Sequence, residues 1–309
     1  MDIHTFSDAD FEDTVSLVSQ AHATHLRAEP GLDASPAIEQ LLRADVESGK
    51  GWVARERGRL VGLLIGVPGG GAFGPHVRYN AHGAVFTDPS LVAPLFATAS
   101  AEFLRDNLTE QYVFVPNLEA SIDPWFDMDF GTSAFQAVQE SQSPVRHSSH
   151  RVTVRRGTPK DRTVAASMNR EMDLHIQRPP SFGTNEVGDD QEYFDEWDGT
   201  WDDSTFVHLV AELDDDIVGQ FLLYRRPSES LRVPSSSIDV AQAYVTPRVR
   251  RQGVVDALMR ATREFAATEN IEWLITDWRA GNIPAALVWP AHGFRLTYRR
   301  LHRSIRTVS

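Results

Sequence analysis

The chain has 309 residues, 41% of them apolar, no cysteine, and a formal net charge of −13. That length suits two domains, each able to bury its own core. The acidic balance argues against a nucleic-acid or anionic-membrane partner, which needs clustered Lys and Arg. The absence of cysteine excludes disulfides, thiolate metal sites and a cysteine nucleophile; no metal site is expected.

No apolar run approaches membrane-spanning length. The start, Met1 to Asp10, is acidic and lacks the basic and apolar regions of a signal peptide, so a cytoplasmic location is the expectation. Val53-Ala-Arg-Glu-Arg-Gly-Arg-Leu-Val-Gly62 reads as strand, tight polar turn, strand. Pro68-Gly-Gly-Gly-Ala-Phe-Gly74 reads as a loop; it has no Lys-Ser/Thr sequel and is not a phosphate loop. In the stretch from His82 to Phe96, Ser90 is placed to cap a helix with Pro94 in its first turn. That stretch has no Arg-rich glycine turn, and Asp88 would repel an anion. Trp125-Phe-Asp-Met-Asp-Phe130 follows. Gln139 to His150 is rich in Ser and polar residues and carries no apolar period, which marks the boundary. The division expected is 1–140, a linker at 141–150, and 151–309.

The second half is predicted to open with a strand over 151–156 and a helix over 159–176, with Val164, Met168, Met172 and Ile176 at helical spacing. An irregular stretch opening at Arg178-Pro-Pro180 holds a short helix near 190–198. Strands are predicted over 205–213, 216–225 and 236–246. A helix after Gly253 carries Val255, Leu258, Met259, Thr262 and Phe265 on one side. A strand at 271–277, a helix at 282–291 and strand material from 293 complete the half. Val210-Ala-Glu-Leu-Asp-Asp-Asp-Ile-Val-Gly219 lies over Val53–Gly62, and Trp289-Pro-Ala-His-Gly-Phe294 over Trp125–Phe130, in the same order. The chain reads as a diverged duplication.

The most informative stretch is Ala243-Tyr-Val-Thr-Pro-Arg-Val-Arg-Arg-Gln-Gly-Val-Val-Asp-Ala-Leu-Met259. A strand ends at Pro247, a basic turn with one glycine follows, and an amphipathic helix begins. Such a junction aims backbone N–H groups and the positive end of a helix dipole at one point, which suits a pyrophosphate. The stretch resembles the acyl-CoA-binding motif of the GNAT superfamily of N-acetyltransferases. Arg250 and Gly253 fit that motif; Val255 stands where the family has Gly or Ala. Asn282, Ala285, Gly293 and Phe294 keep the spacing of the family's carboxyl-terminal motif, with Trp289 in place of its Tyr.

The resemblance implies an α/β protein of two tandem GNAT-like domains, each a mixed, mostly antiparallel sheet flanked by helices. It implies acetyl-CoA as cosubstrate, its pantetheine arm lying between two splayed strands and bonding the backbone of Tyr244, Val245 and Thr246. The N–H of Val245 would polarise the thioester carbonyl. The amides of Arg251, Gln252, Gly253, Val254 and Val255 would hold the pyrophosphate, with Arg250 and Arg251 adding positive charge. Asn282 would bond the cofactor arm. Each position has a plainer reading: solvated turn arginines, a turn glycine, and Asn282 as a helix cap.

Trp289 stands where the family places an acid for the departing sulfur. An indole N–H donates a hydrogen bond but releases no proton at neutral pH; a thiol of pKa about 8.5 is already a tolerable leaving group. The alternative is a packing aromatic. Asp239, on the strand entering the motif, is the candidate general base, with a solvated or salt-bridged carboxylate as the alternative. Gln242 and Tyr244 share a face of that strand. Between Pro179 and Ser204 lie Glu186, Asp189, Asp190, Glu192, Asp195, Glu196, Asp198, Asp202 and Asp203 with interleaved aromatics and no Lys or Arg, which favours a cationic or aromatic amine; a solvated face is the alternative. The first half keeps the scaffold, lacks the anion cradle, and is expected to shape the acceptor cleft. The expected activity is transfer of an acetyl group to a primary amine of a small molecule. A peptide amine, or a non-catalytic acyl-CoA-binding or scaffold role, is the alternative. A monomer is expected, with a homodimer as the alternative.

Overall fold

A computed structural model describes residues 1–71, 74–143, 151–183, 187–227 and 230–306. Its first half runs β1 (Asp2–Thr5), α1 (Phe11–Ala28), α2 (Ile38–Ser48), β2 (Lys50–Glu56), β3 (Arg59–Gly69), β4 (His76–Phe86), α3 (Val92–Arg105), β5 (Glu110–Pro116), α4 (Glu119–Phe126) and β6 (Gly131–Glu140). The second half runs β7 (Val152–Arg156), α5 (Arg162–Gln177), α6 (Asp190–Asp198), β8 (Phe206–Leu213), β9 (Asp216–Tyr224), β10 (Ser237–Val245), α7 (Val254–Thr268), β11 (Trp273–Arg279), α8 (Ile283–Ala291) and β12 (Arg295–Ser304). The element orders match, and the local chemistry repeats. Ser7 and Asp10 form a capping box ahead of α1, and Thr158 and Asp161 form one ahead of α5. The rings of Trp125 and Phe130 meet edge to face at 5.0 Å, and those of Trp289 and Phe294 at 5.3 Å. In each pair the N–H of the Phe donates to the Trp carbonyl at 3.1 Å, across a left-handed residue, Asp129 or Gly293.

By contact the chain forms two compact units that are not contiguous in sequence. The first is Met1–Gln136, Ser228–Pro234 and Leu296–Ser309; the second is Ala137–Pro227 and Ser235–Arg295. This differs from the expected cut at 141–150, of which 144–150 lie outside the described residues. The physical reason is strand pairing. β12, last in the sequence, pairs antiparallel with β5 from Tyr298 opposite Pro116 to Ser304 opposite Glu110, inside the first unit. Residues 137–140 of β6 lie beside β11 in the second unit.

In the first unit the strand order is β1-β2-β3-β4-β5-β12-β6, and β4 and β5 run parallel. Alternation along β3 sends Leu63, Ile65 and Val67 to a core shared with Leu17, Val18, Ile38 and Leu42 of α1 and α2. Leu64 instead joins Leu95, Phe96, Phe103 and Trp125 of α3 and α4. The sheet is therefore covered on both faces. In the second unit the order is β6-β11-β10-β9-β8-β7, with β10 and β11 parallel and the pairs from β7 to β10 antiparallel. α5 packs on β9 and β10, and α7 on β7, β8 and β9.

Two predicted helix faces are corrected by packing. On α5 the buried residues are Ala165, Ala166, Met168 and Asn169, while Val164 is exposed. Asn169 is held because its Oδ1 accepts from Gln220 Nε2 of β9 at 2.6 Å. On α7 the residue turned inward at the start is Val254, not Val255, which is half-buried.

Each unit also buries a histidine. Burial lowers the His25 pKa to about 4, and likewise that of His208, whose ring stacks on Trp201 at 3.7 Å. From pH 6.5 down to about 4 the unfolded chain takes up protons that the folded protein refuses, so stability is full at neutral pH and falls through that window. The expected loss between pH 7 and pH 5 is on the order of 2 kcal/mol per histidine. Urea unfolding at the two pH values checks it: H208F should remove about half of the difference, leaving the His25 share, and an unchanged difference refutes the assignment.

Candidate active site

β10 and β11 pair only from Ser237 opposite Trp273 to Asp239 opposite Ile275, and then part. β10 continues to Val245 with a bulge between Val240 and Gln242, paired on its other side with β9. The N–H of Thr246 donates to the Val218 carbonyl of β9 at 2.9 Å. Successive residues of a strand point their backbone groups to opposite sides. The N–H of Val245 therefore points away from β9, into the gap on the β11 side.

At the end of β10 a 3-10 turn, Pro247–Val249, leads to Arg250. Arg251 and Gly253 then take left-handed backbone conformations, φ 64° and 81°. A glycine tolerates that geometry without strain. It also leaves α7 without a side-chain cap: Gly253 is the N-cap, and no side chain bonds the first turn. The first intrahelical bond runs from Ala257 N–H to the Gly253 carbonyl. The N–H groups of Val254, Val255 and Asp256 precede it and have no intrahelical acceptor. These groups fit an anionic group such as a pyrophosphate. Arg250 Nε donates to the Val245 carbonyl at 3.2 Å, so its guanidinium bridges the gap strand and the turn. Gln252 is exposed, with Nε2 3.4 Å from the Arg248 carbonyl. The carboxylate of Asp256, in the first turn, stands 3.5 Å from His292 Nε2.

The corresponding helix start in the first unit is built differently. β4 and β5 also pair briefly, His76 to Tyr79 against Glu110 to Val113, and then part. The turn ahead of α3 is capped by Asp88, whose Oδ1 accepts from Ser90 N at 2.8 Å. Ser90, the expected cap, is the donor. Those bonds, the Ser90 side chain foremost, hold the Asp88 carboxyl below its ordinary range. Pro89 offers no N–H. A resident carboxylate thus covers the positive end that Gly253 leaves bare.

Asn282 caps α8, its Oδ1 accepting from Ala285 N at 3.4 Å. Its side chain also hydrogen-bonds His175 in the last turn of α5. Gly281, just before it, touches the chain after α5: an added Cβ would come 2.6 Å from the Pro180 carbonyl oxygen. That contact seats Arg178–Ser181 against the start of α8. The interactions of Tyr244 join these parts. Burial raises its pKa, Glu171 adds to the rise, and Arg250 and Arg178 oppose it. Burial lowers the pKa of His175, and Arg250 and Arg178 lower it further. Glu171, His175, Arg178, Tyr244, Arg250 and Asn282 thus form one cluster beside the far half of β10. Glu171 and His175 lie one helical turn apart on α5. That spacing was the available sequence signal, and apolar periodicity alone missed it.

Asp239 lies in the still-paired part of β10, 1% exposed, with its carboxylate on Arg226 Nε. Arg226 also reaches Asp277 at 3.3 Å. This is the salt-bridged alternative: the guanidinium occupies the lone pair a base would use. Trp289 is 5% exposed and packs on Phe221 and Phe294. The acidic stretch is largely engaged as well. Asp189 and Glu192 form the capping box of α6, Asp198 and Asp202 pair with Arg162, and Asp190 with Arg170. Asp203 closes a turn on Thr205, Asp195 accepts from Gln191, and Glu186 lies outside the described residues. Among the described residues, arginines of α5 and backbone amides take up much of this charge.

Residues 172–294 match the sequence profile of the Acetyltransferase (GNAT) family. No curated protein matches the sequence significantly. A tandem GNAT protein from the clavulanic acid biosynthesis pathway superposes over 100% of this chain and 99% of its own, at 12% identity and TM-score 0.53. A GCN5-related N-acetyltransferase from Sphaerobacter thermophilus does so over 100% and 96%, at 13% identity and TM-score 0.63. At such identities the likeness is one of fold. The chain has the fold of a tandem GNAT protein, an α/β arrangement of mixed, mostly antiparallel sheet flanked by helices. Its second half carries a domain of the acetyltransferase (GNAT) family, which supports acyl-CoA-dependent acetyl transfer. Among the described residues no helix is long and apolar enough to cross a membrane, and no His, Cys, Asp or Glu cluster is arranged to hold a metal ion.

Proposed function

We propose that the second unit transfers an acetyl group from acetyl-CoA to a primary amine of a small molecule, with His175 as general base. The supporting observation is the parted β10–β11 pair with the Val245 N–H facing the gap beside an uncapped helix start. The Val254, Val255 and Asp256 amides receive the pyrophosphate, helped by Arg250 and Arg251. The Val245 N–H donates to the thioester oxygen as negative charge gathers there. Val255 supplies the same N–H that Gly or Ala would.

A base must carry a free lone pair at working pH and sit near the acceptor nitrogen. His175 meets the first condition, since its lowered pKa leaves it neutral. Its bond to Asn282 places it at the gap. The amine nitrogen attacks the carbonyl carbon and passes a proton to His175. The new C–N bond forms as the C–S bond breaks, and the sulfur leaves with the electron pair. Tyr244, which keeps its proton, is the hydroxyl donor at this cluster. Trp289, buried against Phe221, is read as a packing aromatic. Several of the 189–203 carboxylates are engaged by Arg162, Arg170 and backbone amides, so the reading rests on the acceptor's amine; Glu171 and Arg178 flank the place it would take.

Thiol release with acetyl-CoA over a panel of primary amines, including amino acids, tests the reading. Calorimetric binding of acetyl-CoA without thiol release for any amine would leave only a binding protein. H175A should lower kcat about 100-fold with little change in the KM for acetyl-CoA. The wild-type rate should fall on an acid limb below pH 6.5 that the variant lacks. Retention of that limb in H175A removes His175 from the reaction.

A further inference from the structure

Among the described residues six large apolar side chains stand exposed, and three of them belong to the second unit where the chain after α5 meets the start of α8. Phe182 is 66% exposed, Ile283 54% and Leu287 69%. Pro179, Pro180 and Pro284 are exposed beside them. The two segments are held together. An added Cβ on Gly281 would come 2.6 Å from both the Pro180 carbonyl oxygen and the Ser181 Cα. The N–H of Phe182 donates to the Arg178 carbonyl at 3.2 Å, and that of Gly183 to the Ile176 carbonyl at 2.9 Å, which folds this stretch back on the end of α5. Ile283 and Leu287 lie one turn apart on α8. Single exposed apolar side chains are ordinary; a contiguous group of them marks a binding surface.

The fold does not require apolar residues there, because the chain holds its own control. α4 is the counterpart of α8, with Trp125 at the place of Trp289. Where α8 has Ile283 and Leu287, six and two residues before the Trp, α4 has Glu119 and Asp123, both exposed. Charged residues are what a solvated helix face ordinarily carries. The apolar exchange goes with the unit whose helix start is left bare at Gly253, not with the one capped by Asp88. It also sits beside the proposed base. Asn282, directly before Ile283, bonds His175, and the 178–182 stretch directly follows the last turn of α5, which bears His175. What covers such a surface enters with one end at His175 and extends outward, as an acceptor does.

We infer that the acceptor is a primary amine with an extended apolar body, alkyl or aryl, which lies over Phe182, Ile283 and Leu287 while its nitrogen stands at His175. The inference rests on the acetyl transfer proposed above and names the class of its acceptor. Leu287 lies about 7.5 Å further along the helix axis than Asn282. Short amines therefore reach Ile283 alone, and longer ones reach both. Selection comes from apolar area removed from water, which grows with the length of the body.

Thiol release from acetyl-CoA by the full chain reads the reaction directly, since the protein has no cysteine of its own. The probes are butylamine, hexylamine and octylamine, with 7-aminoheptan-1-ol as the polar-ended match for octylamine. The kcat/KM for the amine should rise about two- to fourfold per methylene, and the hydroxyl-ended amine should fall about tenfold below octylamine. Ile283→Glu combined with Leu287→Asp gives α8 the kind of pair that α4 bears and should flatten the series. Phe182→Ser, on the other segment, should lower its slope. Far-UV circular dichroism identifies any variant that fails to fold, and the wild-type series stands without the variants. Turnover that does not depend on length overturns the inference and leaves the acetyl transfer standing; no thiol release with any amine overturns both. A full slope in the folded double variant removes the acceptor from this surface. So does a wild-type dimer in sedimentation that the double variant dissociates, which would give the surface to a second copy of the chain.

Discussion

Replacing Val245 by proline should lower kcat about 10²–10³-fold while leaving the fold intact, because it deletes the N–H proposed to donate to the thioester oxygen. The prediction is sharp because the backbone separates two roles on neighbouring residues. The N–H of Thr246 is bonded to the Val218 carbonyl of β9 at 2.9 Å, so a proline there would cut the sheet. The N–H of Val245 is on the opposite side, where β11 has already diverged after Ile275. A proline at 245 therefore removes no ladder bond. The KM for acetyl-CoA should change far less than kcat, since a donor that strengthens as charge develops acts on the transition state. Steady-state kinetics with circular dichroism on V245P and on T246P as comparison check this. Near-wild-type turnover in a folded V245P would remove the Val245 amide from the reaction.

G253D should weaken acetyl-CoA binding by roughly 10²–10³-fold. The substitution carries into the second unit what the first unit already has, a carboxylate over the helix start, as Asp88 stands before α3. Asp tolerates the left-handed conformation of Gly253, φ 81°, better than most residues, so the fold should persist. A carboxylate about 4 Å from a phosphate charge costs about 4 kcal/mol at an effective dielectric constant of 20, and salt reduces this. Gly253→Asn separates charge from bulk: of equal size and uncharged, it should lose much less. Calorimetry at two salt concentrations reads both. If G253D binds acetyl-CoA like the wild type, the pyrophosphate is not held at this turn.

The two helix starts show how duplication and divergence work here in physical terms. Both units keep a parted pair of parallel strands, β4–β5 and β10–β11. The gap exists because each pair stays together for only three or four residues. What it can hold is decided by the few residues at its end. Gly253 with flanking arginines leaves amides bare for an anion; Asp88, Pro89 and Ser90 seal them. The first half keeps the parted strand pair with its helix start capped by a carboxylate.

Much of this was legible in the sequence. The short helix predicted near 190–198 is Asp190–Asp198, and the strand predicted over 216–225 is Asp216–Tyr224. Local signals sufficed there: Asp189 and Glu192 form a capping box, and alternation with a polar turn defines the hairpin. The paired Trp and Phe of each half, six positions from first to last, were visible because an aromatic core contact constrains both partners.

The sequence by itself determined the duplicated element order, the glycine turn at 253 and the acidic balance, because these depend on residues near one another in the chain. Only the tertiary structure decided that β12 completes the first unit's sheet, since strand partners are chosen by pairing across long separations. It also decided that Asp239 is held by Arg226 and that His175 stands by Asn282. A carboxylate or an imidazole has the same letter whether it is bonded or free. Burial and neighbours set its chemistry, and those are properties of the folded chain.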